Sequence, residues 1–341
     1  MTETETTRAA VGPDNPAHTG GAPSQRRLDT WRFVGRYGAL IVLLLLIVVV
    51  SLAAPSTFPT RSNLINVLNQ CALTAVIAMG LTFPLVAGEF DLSVGYTGSL
   101  CGVVAAELLV HGFPLALAFL VAVAAGAFVG LVNGLVVTRL GVNALVATLG
   151  IGTIVVGMNY LIAAGLPVTV PNPAPLINLT LGKAFGLPYP IYVMAAVGLL
   201  LWVLLNRTVS GQSMQAVGGN SVAARLSGIR VDRVRVMVFV VAGMAAAATG
   251  VLLASRTGSA SVNGADSYLL SAFAACFFGS AVLRDGQFHI VGTLVGVFTV
   301  SVGFNAIALI GLGTYYQYLF QGLLLILGVG VSTVARRRAV A

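Results

Sequence analysis

The chain has 341 residues, of which 57% are hydrophobic and only 8% charged, with a net charge of +8. A soluble domain carries about 25% charged residues, so a water-soluble globular fold is excluded. Many apolar stretches reach about 18 residues, enough to cross a bilayer as a helix. Backbone amides in hydrocarbon have to be satisfied internally, so the expected fold class is an all-α polytopic membrane protein.

In chain order, residues 1–33 are rich in Thr, Gly, Pro and Ala and lack an apolar period, which predicts a disordered cytosolic tail. Ser51-Leu52-Ala53-Ala54 resembles a signal cleavage site, but the charged leader is too long and the apolar run before it is of spanning length, which reads as a retained anchor. Ten spans follow, at 34–54, 63–87, 93–111, 114–138, 142–165, 188–206, 234–255, 267–283, 288–310 and 315–334. They make one transmembrane domain over 34–335, with a polar loop at 207–233 and a basic tail at 336–341. An even number of spans places both termini on one side. That side then holds Arg8, Arg26, Arg27, Arg32, Arg36, Arg139, Arg207, Arg225, Arg230, Arg233, Arg235, Arg284, Arg336, Arg337 and Arg338, leaving Arg61, Lys183 and Arg256 opposite. This bias is the positive-inside pattern and makes both termini cytoplasmic. The net positive charge therefore reports topology and contact with anionic membrane lipid, not nucleic-acid binding.

The second span carries Asn63, Asn66, Gln70 and Thr74 at helical steps, with Asn69 alongside, and Asn159 and Asn305 stand singly in later spans. Unpaired amides in hydrocarbon are costly, so this face turns toward the bundle or a wet cavity. Two readings follow: helix-to-helix hydrogen bonding, or a lined path for a neutral, hydroxyl-rich solute. Gly126, Gly130 and Gly134, like Gly292 and Gly296, recur at intervals of four and read as close helix packing. Cys71, Cys101 and Cys276 fall inside spans without metal-ligand spacing and read as core residues. Glu107 lies near the outer end of its span, where it either reaches the interface or couples an ion.

Several chemistries are missing. The only lysine, Lys183, is followed by Ala184, so no phosphate-binding loop exists. His18, His111 and His289 share no face, and no buried chain of Asp, Glu and His suggests proton coupling. No metal site, cofactor or catalytic constellation is expected.

Two polar segments are more specific. In the turn Gly88-Glu89-Phe90-Asp91-Leu92-Ser93-Val94-Gly95, Asp91 can accept from open amides at the start of the third span. In the arginine-rich loop, Asn220 or Ser221 can cap a short helix through Leu226-Ser227, which Gly228 would stop. So short a helix is unstable alone, so it rests on the membrane domain, on a partner, or on the lipid surface.

Asp91-Leu92-Ser93-Val94-Gly95 resembles the signature turn of the permease subunits of ribose-type ABC importers. The stretch from Val142 to Thr148-Leu149-Gly150, and Ala216-Val217-Gly218-Gly219-Asn220 with Ala223-Ala224-Arg225-Leu226-Ser227-Gly228-Ile229, are similar to further family motifs. Gly292-Thr293 and Tyr315-Tyr316-Gln317 through Gly322-Leu323 continue the likeness, which is collinear from about residue 34 to 338. Departures are Ala87-Gly88 for a glycine pair, Ser221-Val222 for acidic residues, Gly279-Ser280 and Arg284-Asp285-Gly286-Gln287 before the ninth span, and Asn305-Ala306 for Asn-Gly.

The resemblance implies a permease subunit of the bacterial plasma membrane importing a small polar solute, most naturally a monosaccharide. It implies partners: a second permease copy, cytosolic ATP-binding subunits and an extracytoplasmic solute-binding protein received on outer loops near 55–62, 166–187 and 256–266. In this reading Asn66, Asn69, Gln70, Thr74, Asn159 and Asn305 line the substrate pathway. Ala216, Gly218, Gly219, Asn220, Ala223, Arg225 and Gly228 belong to the ATPase-coupling element, and Gly88, Asp91, Ser93 and Gly95 to the signature turn. A nucleoside or other polar-metabolite importer of the same superfamily, a self-sufficient facilitator or ion-coupled carrier, and a membrane scaffold are the alternatives.

Overall fold

A computed structural model describes residues 25–281 and 286–340, with side chains described from Tyr37 to Gly330 outside that gap. The tail residues 1–24, with Arg8 and His18, and the pair Arg284-Asp285 lie outside the described residues, as do the side chains of Arg26, Arg27, Arg32, Arg36 and Arg336–Arg338. Thirteen helices are described: α1 (Gln25–Ala53), α2 (Arg61–Val86), α3 (Val94–Val110), α4 (Leu115–Arg139), α5 (Ala144–Ala163), α6 (Ala174–Leu181), α7 (Tyr189–Arg207), α8 (Val209–Gly219), α9 (Ser221–Leu226), α10 (Val231–Thr257), α11 (Asp266–Ser280), α12 (Ile290–Leu309) and α13 (Tyr315–Val340).

The predicted spans coincide with α1–α5, α7 and α10–α13. By length and composition six of these, α2, α4, α5, α7, α10 and α12, are apolar enough to cross a membrane, while Tyr37–Ala53 of α1 and all of α3 are apolar but shorter. α1 begins at Gln25, ahead of the expected boundary at 34. Between Gln25 and Ala54 there is no proline to stop the helix.

Burial sorts the helices into an inner and an outer set. α2, α10 and α12 are mostly buried, whereas α4, α5 and α7 expose most of their surface. The exposed side chains are themselves apolar, among them Phe128, Leu161, Leu199 and Leu200, which suits a surface solvated by lipid rather than water. α10 packs against α2, α3 and α4. Glycine makes this possible: a Cβ on Gly126 or Gly130 of α4 would overlap the Gly243 or Phe239 carbonyl of α10, and one on Gly250 would overlap the Gly98 carbonyl of α3. The glycine stripe is thus a backbone-to-backbone contact, as its spacing suggests. Cys71, Cys101 and Cys276 are free and buried.

The two ends of the bundle differ. At one end the loop 166–187 folds into β1 (Val168–Thr169), α6, β2 (Lys183–Ala184) and β3 (Leu187–Pro188). β1 pairs antiparallel with β4 (Ser259–Ala260), Val168 opposite Ala260, so two loops expected to be separate are joined. The opposite end carries α8, α9 and Arg139, Arg225, Arg230, Arg233 and Arg235. Among the described residues no group of His, Cys, Asp and Glu could hold a metal ion.

Candidate functional site

A cavity of about 230 Å³ lies inside the bundle between α2, α10, α11, α12 and α13. Its walls carry Gln70, Thr74, Ser271, Ser301, Gln317 and Gln321, with Tyr268 and Phe304 as aromatic faces. The one charged lining group is Arg256. Thr74, Ser271, Ser301 and Gln321 are buried, and such groups need partners once water is excluded. A ring of neutral donors and acceptors can exchange for the water around a hydroxyl-rich solute. It offers no site for a bare cation and no nucleophile–base pair for covalent chemistry.

The pathway residues expected from sequence divide. Gln70 and Thr74 face the cavity, and Asn66 is exposed one turn earlier on α2. Asn69 lies on the flank of α2, its carbonyl oxygen buried without a hydrogen-bond partner. Asn305 is placed elsewhere: its Nδ2 donates to Asn63 Oδ1 at 2.9 Å while Asn63 Nδ2 donates to Asn305 Oδ1 at 3.0 Å. Asn159 donates to the Val262 carbonyl and fixes the β4–α11 loop to α5. These two amides therefore serve as ties between elements. Sequence reading passed over Ser271, Ser301, Gln317 and Gln321, although Gln317 and Gln321 stand four residues apart and share a face of α13, the same signal that marked α2.

The turn between α2 and α3 is fully tied. Gly88 has φ +82°, a conformation that favours glycine. Asp91, almost wholly buried, accepts at Oδ1 from the Ser93 amide at 2.9 Å and the Ser93 hydroxyl at 2.6 Å. Burial pushes its carboxyl up to about 6, against the pull of those two donors. Asn133 of α4 donates to Ser93 Oγ at 2.7 Å, and the Leu92 amide donates to Thr148 Oγ1 at 3.0 Å, so two of the motifs recognised in the sequence touch. Gly95 packs against the α11 start, where a Cβ would crowd Leu269 and the Ala265 carbonyl. Glu89 pairs with Arg235 of α10 at 2.8 Å. Burial raises the Glu89 carboxyl, and Arg235 only partly opposes this.

The arginine-rich loop forms two helices where one was expected. Thr208 caps α8 by accepting from the Gly211 amide at 3.1 Å. Asn220 caps α9 by accepting from the Val222 and Ala223 amides, both at 3.0 Å, and Gly228 ends the element with φ +84°. Ala216 accepts from the Asn220 amide at 3.0 Å, linking α8 to α9. Gly218 abuts the Val86 carbonyl at the end of α2, while nothing lies within 4 Å of a Cβ on Gly219. Ala223 and Leu226 of α9 point outward. Arg225 meets Asp232 at 3.3 Å in an exposed pair, a contact of little energy.

Residues 63–329 match the family described as branched-chain amino acid transport system / permease component. The ribose import permease of Haemophilus influenzae is 33% identical over 301 residues, covering 87% of this chain and 93% of that protein. The ribose import permease of Escherichia coli K12 is 34% identical over 312 residues, covering 91% and 97%. The L-arabinose ABC transporter permease of Azospirillum brasilense is 34% identical over 308 residues, covering 90% of each. No solved structure gives a significant match. A helical bundle with an apolar exterior and a polar-lined internal cavity agrees with that likeness: the chain belongs to the permease-component family, a multi-pass membrane transporter subunit and not an enzyme.

Proposed function

We propose that the chain is the permease subunit of an ATP-driven importer for a monosaccharide in the bacterial plasma membrane. The observation that carries the reading is the convergence of Gln70, Thr74, Ser271, Ser301, Gln317 and Gln321 on one cavity between the helices. Its volume, about 230 Å³, is below the range of about 300–1,000 Å³ for drug-sized ligands and suits a small solute. Relatives named for ribose and L-arabinose support the same class.

In this reading ten helices span the bilayer and both termini are cytosolic, with the arginine-rich end inward. α9 is the coupling element. It projects Ala223 and Arg225 toward a cytosolic ATP-binding subunit and is backed by α8, which rests on the inner end of α2. Closure of two ATP-binding subunits then pushes α9, and α2 transmits the tilt to Gln70 and Thr74, switching the cavity between outward and inward access. A second copy of the chain completes the membrane pore. The β1–β4 face, opposite the arginines, receives a solute-binding protein. The test is reconstitution with the cognate ATPase and binding protein. ATP-dependent accumulation of ribose or arabinose supports the reading, uptake of a nucleoside instead reassigns the cargo, and uphill uptake without the ATPase contradicts it.

A further inference from the structure

A second cavity, of about 780 Å³, opens on the flank of the bundle between the C-terminal end of α4, the start of α10 and α9. Its rim holds Arg139, Arg225, Arg230, Arg233 and Asp232, and its wall is Leu135, Val236, Met237 and Val240. We propose that this groove is a binding site for one anionic phospholipid, the phosphate held by Arg139, Arg230 and Arg233 and an acyl chain lying on the wall below.

Charge and shape argue together. Arg225 is engaged with Asp232, whereas Arg139, Arg230 and Arg233 are exposed and form no ion pair among the described residues. Arg230, at the N-cap of α10, makes no side-chain cap bond, so the positive end of that helix adds to the same field. From Arg233 to Val240 the helix rises about 10 Å, carrying the groove from headgroup depth into hydrocarbon. Leu135 and Met237 expose 36% and 38% of their surface along this strip, a surface that an acidic peptide on the rim would leave uncovered. Basic pockets between helices near the membrane surface are suited to anionic headgroups. The proposal holds whatever solute the permease carries.

The test uses the full chain in detergent, exchanged with phosphatidylglycerol, with phosphatidylcholine of identical chains, or with glycerol 3-phosphate, and read by native mass spectrometry. One phosphatidylglycerol per chain should be retained over phosphatidylcholine, with no retention of glycerol 3-phosphate. Each of Arg139→Gln, Arg230→Gln and Arg233→Gln should weaken retention by roughly five-fold, and Arg207→Gln, whose guanidinium stacks 5.3 Å over Trp202, should leave it unchanged. Should a variant at Arg139 or Arg230 fold poorly, Arg233→Gln and Met237→Gln singly must each still lower retention. Equal retention of both lipids, glycerol 3-phosphate binding as tightly as the lipid, or unchanged lipid retention with lost ATPase association would each overturn the proposal.

Discussion

Gly218 of α8 abuts the Val86 carbonyl oxygen at the end of α2, far inside the distance a side chain would need. The α8–α9 pair is thereby seated directly on the helix that carries Gln70 and Thr74 to the cavity. Gly219, the next residue, meets nothing.

The two glycines should therefore respond with opposite sign. Gly218→Ala forces α8 off α2 and should destabilise the chain by roughly 1–3 kcal/mol, the usual cost of overpacking. Gly219→Ala should be neutral or stabilising by about 0.5–1 kcal/mol, because alanine replaces a helical glycine in open space. Thermal unfolding in detergent checks both.

The amide pair Asn63–Asn305 ties α2 to α12 in a buried setting. Removing one partner leaves the other amide unsatisfied, which costs about 1–3 kcal/mol, more than the roughly 0.6 kcal/mol typical of interhelical bonds in membranes. Asn63→Ala and Asn305→Ala should thus be strongly non-additive, the double variant costing less than the sum. A double-mutant cycle on thermal stability measures this; additivity would mean the pair does not form.

Asp91 should make stability depend on pH in a defined direction. Its carboxyl is raised from 3.8 to about 6 in the fold, so the folded state holds the proton more tightly than the unfolded state. The stabilisation is complete below about 4 and is lost as pH rises through about 6, a swing on the order of 3 kcal/mol. Asp91→Asn keeps an oxygen acceptor for Ser93 without titrating. Compared with that variant, the parent chain should lose apparent Tm between pH 4 and 6.5. Parallel melting curves would refute the assignment.

Thr74→Val and Gln321→Leu remove hydrogen-bonding capacity from the cavity while keeping bulk. Each should raise the KM for uptake by roughly two- to ten-fold, the worth of one hydrogen bond. Asn159→Ala, which loosens the β4–α11 loop instead, should show itself first in stability.

Much of this was legible from residues. Apolar run length located the helices, the glycine step of four marked the close-packing face of α4, and Asn220 with Gly228 bracketed α9. What was hidden depends on distance across the chain. Nothing local distinguishes Asn305, spent on Asn63, from Gln70, which faces the cavity, because period alone gives a face but not the neighbour it meets. α8 was missed because three glycines, Gly211, Gly218 and Gly219, read as loop, whereas Gly211 and Gly218 are required by close backbone contact. The β1–β4 ladder is two residues long on each side, too short for any alternation to register.

The most direct test places the Gly219→Trp variant in proteoliposomes with the ATP-binding and solute-binding subunits. The bulky side chain points into open space in the isolated chain, so thermal stability should stay at the parent value, while ATP-driven uptake should vanish because the ATPase can no longer seat on the α8–α9 corner. Uptake at the parent rate would contradict the mechanical link from that corner through α2 to the cavity.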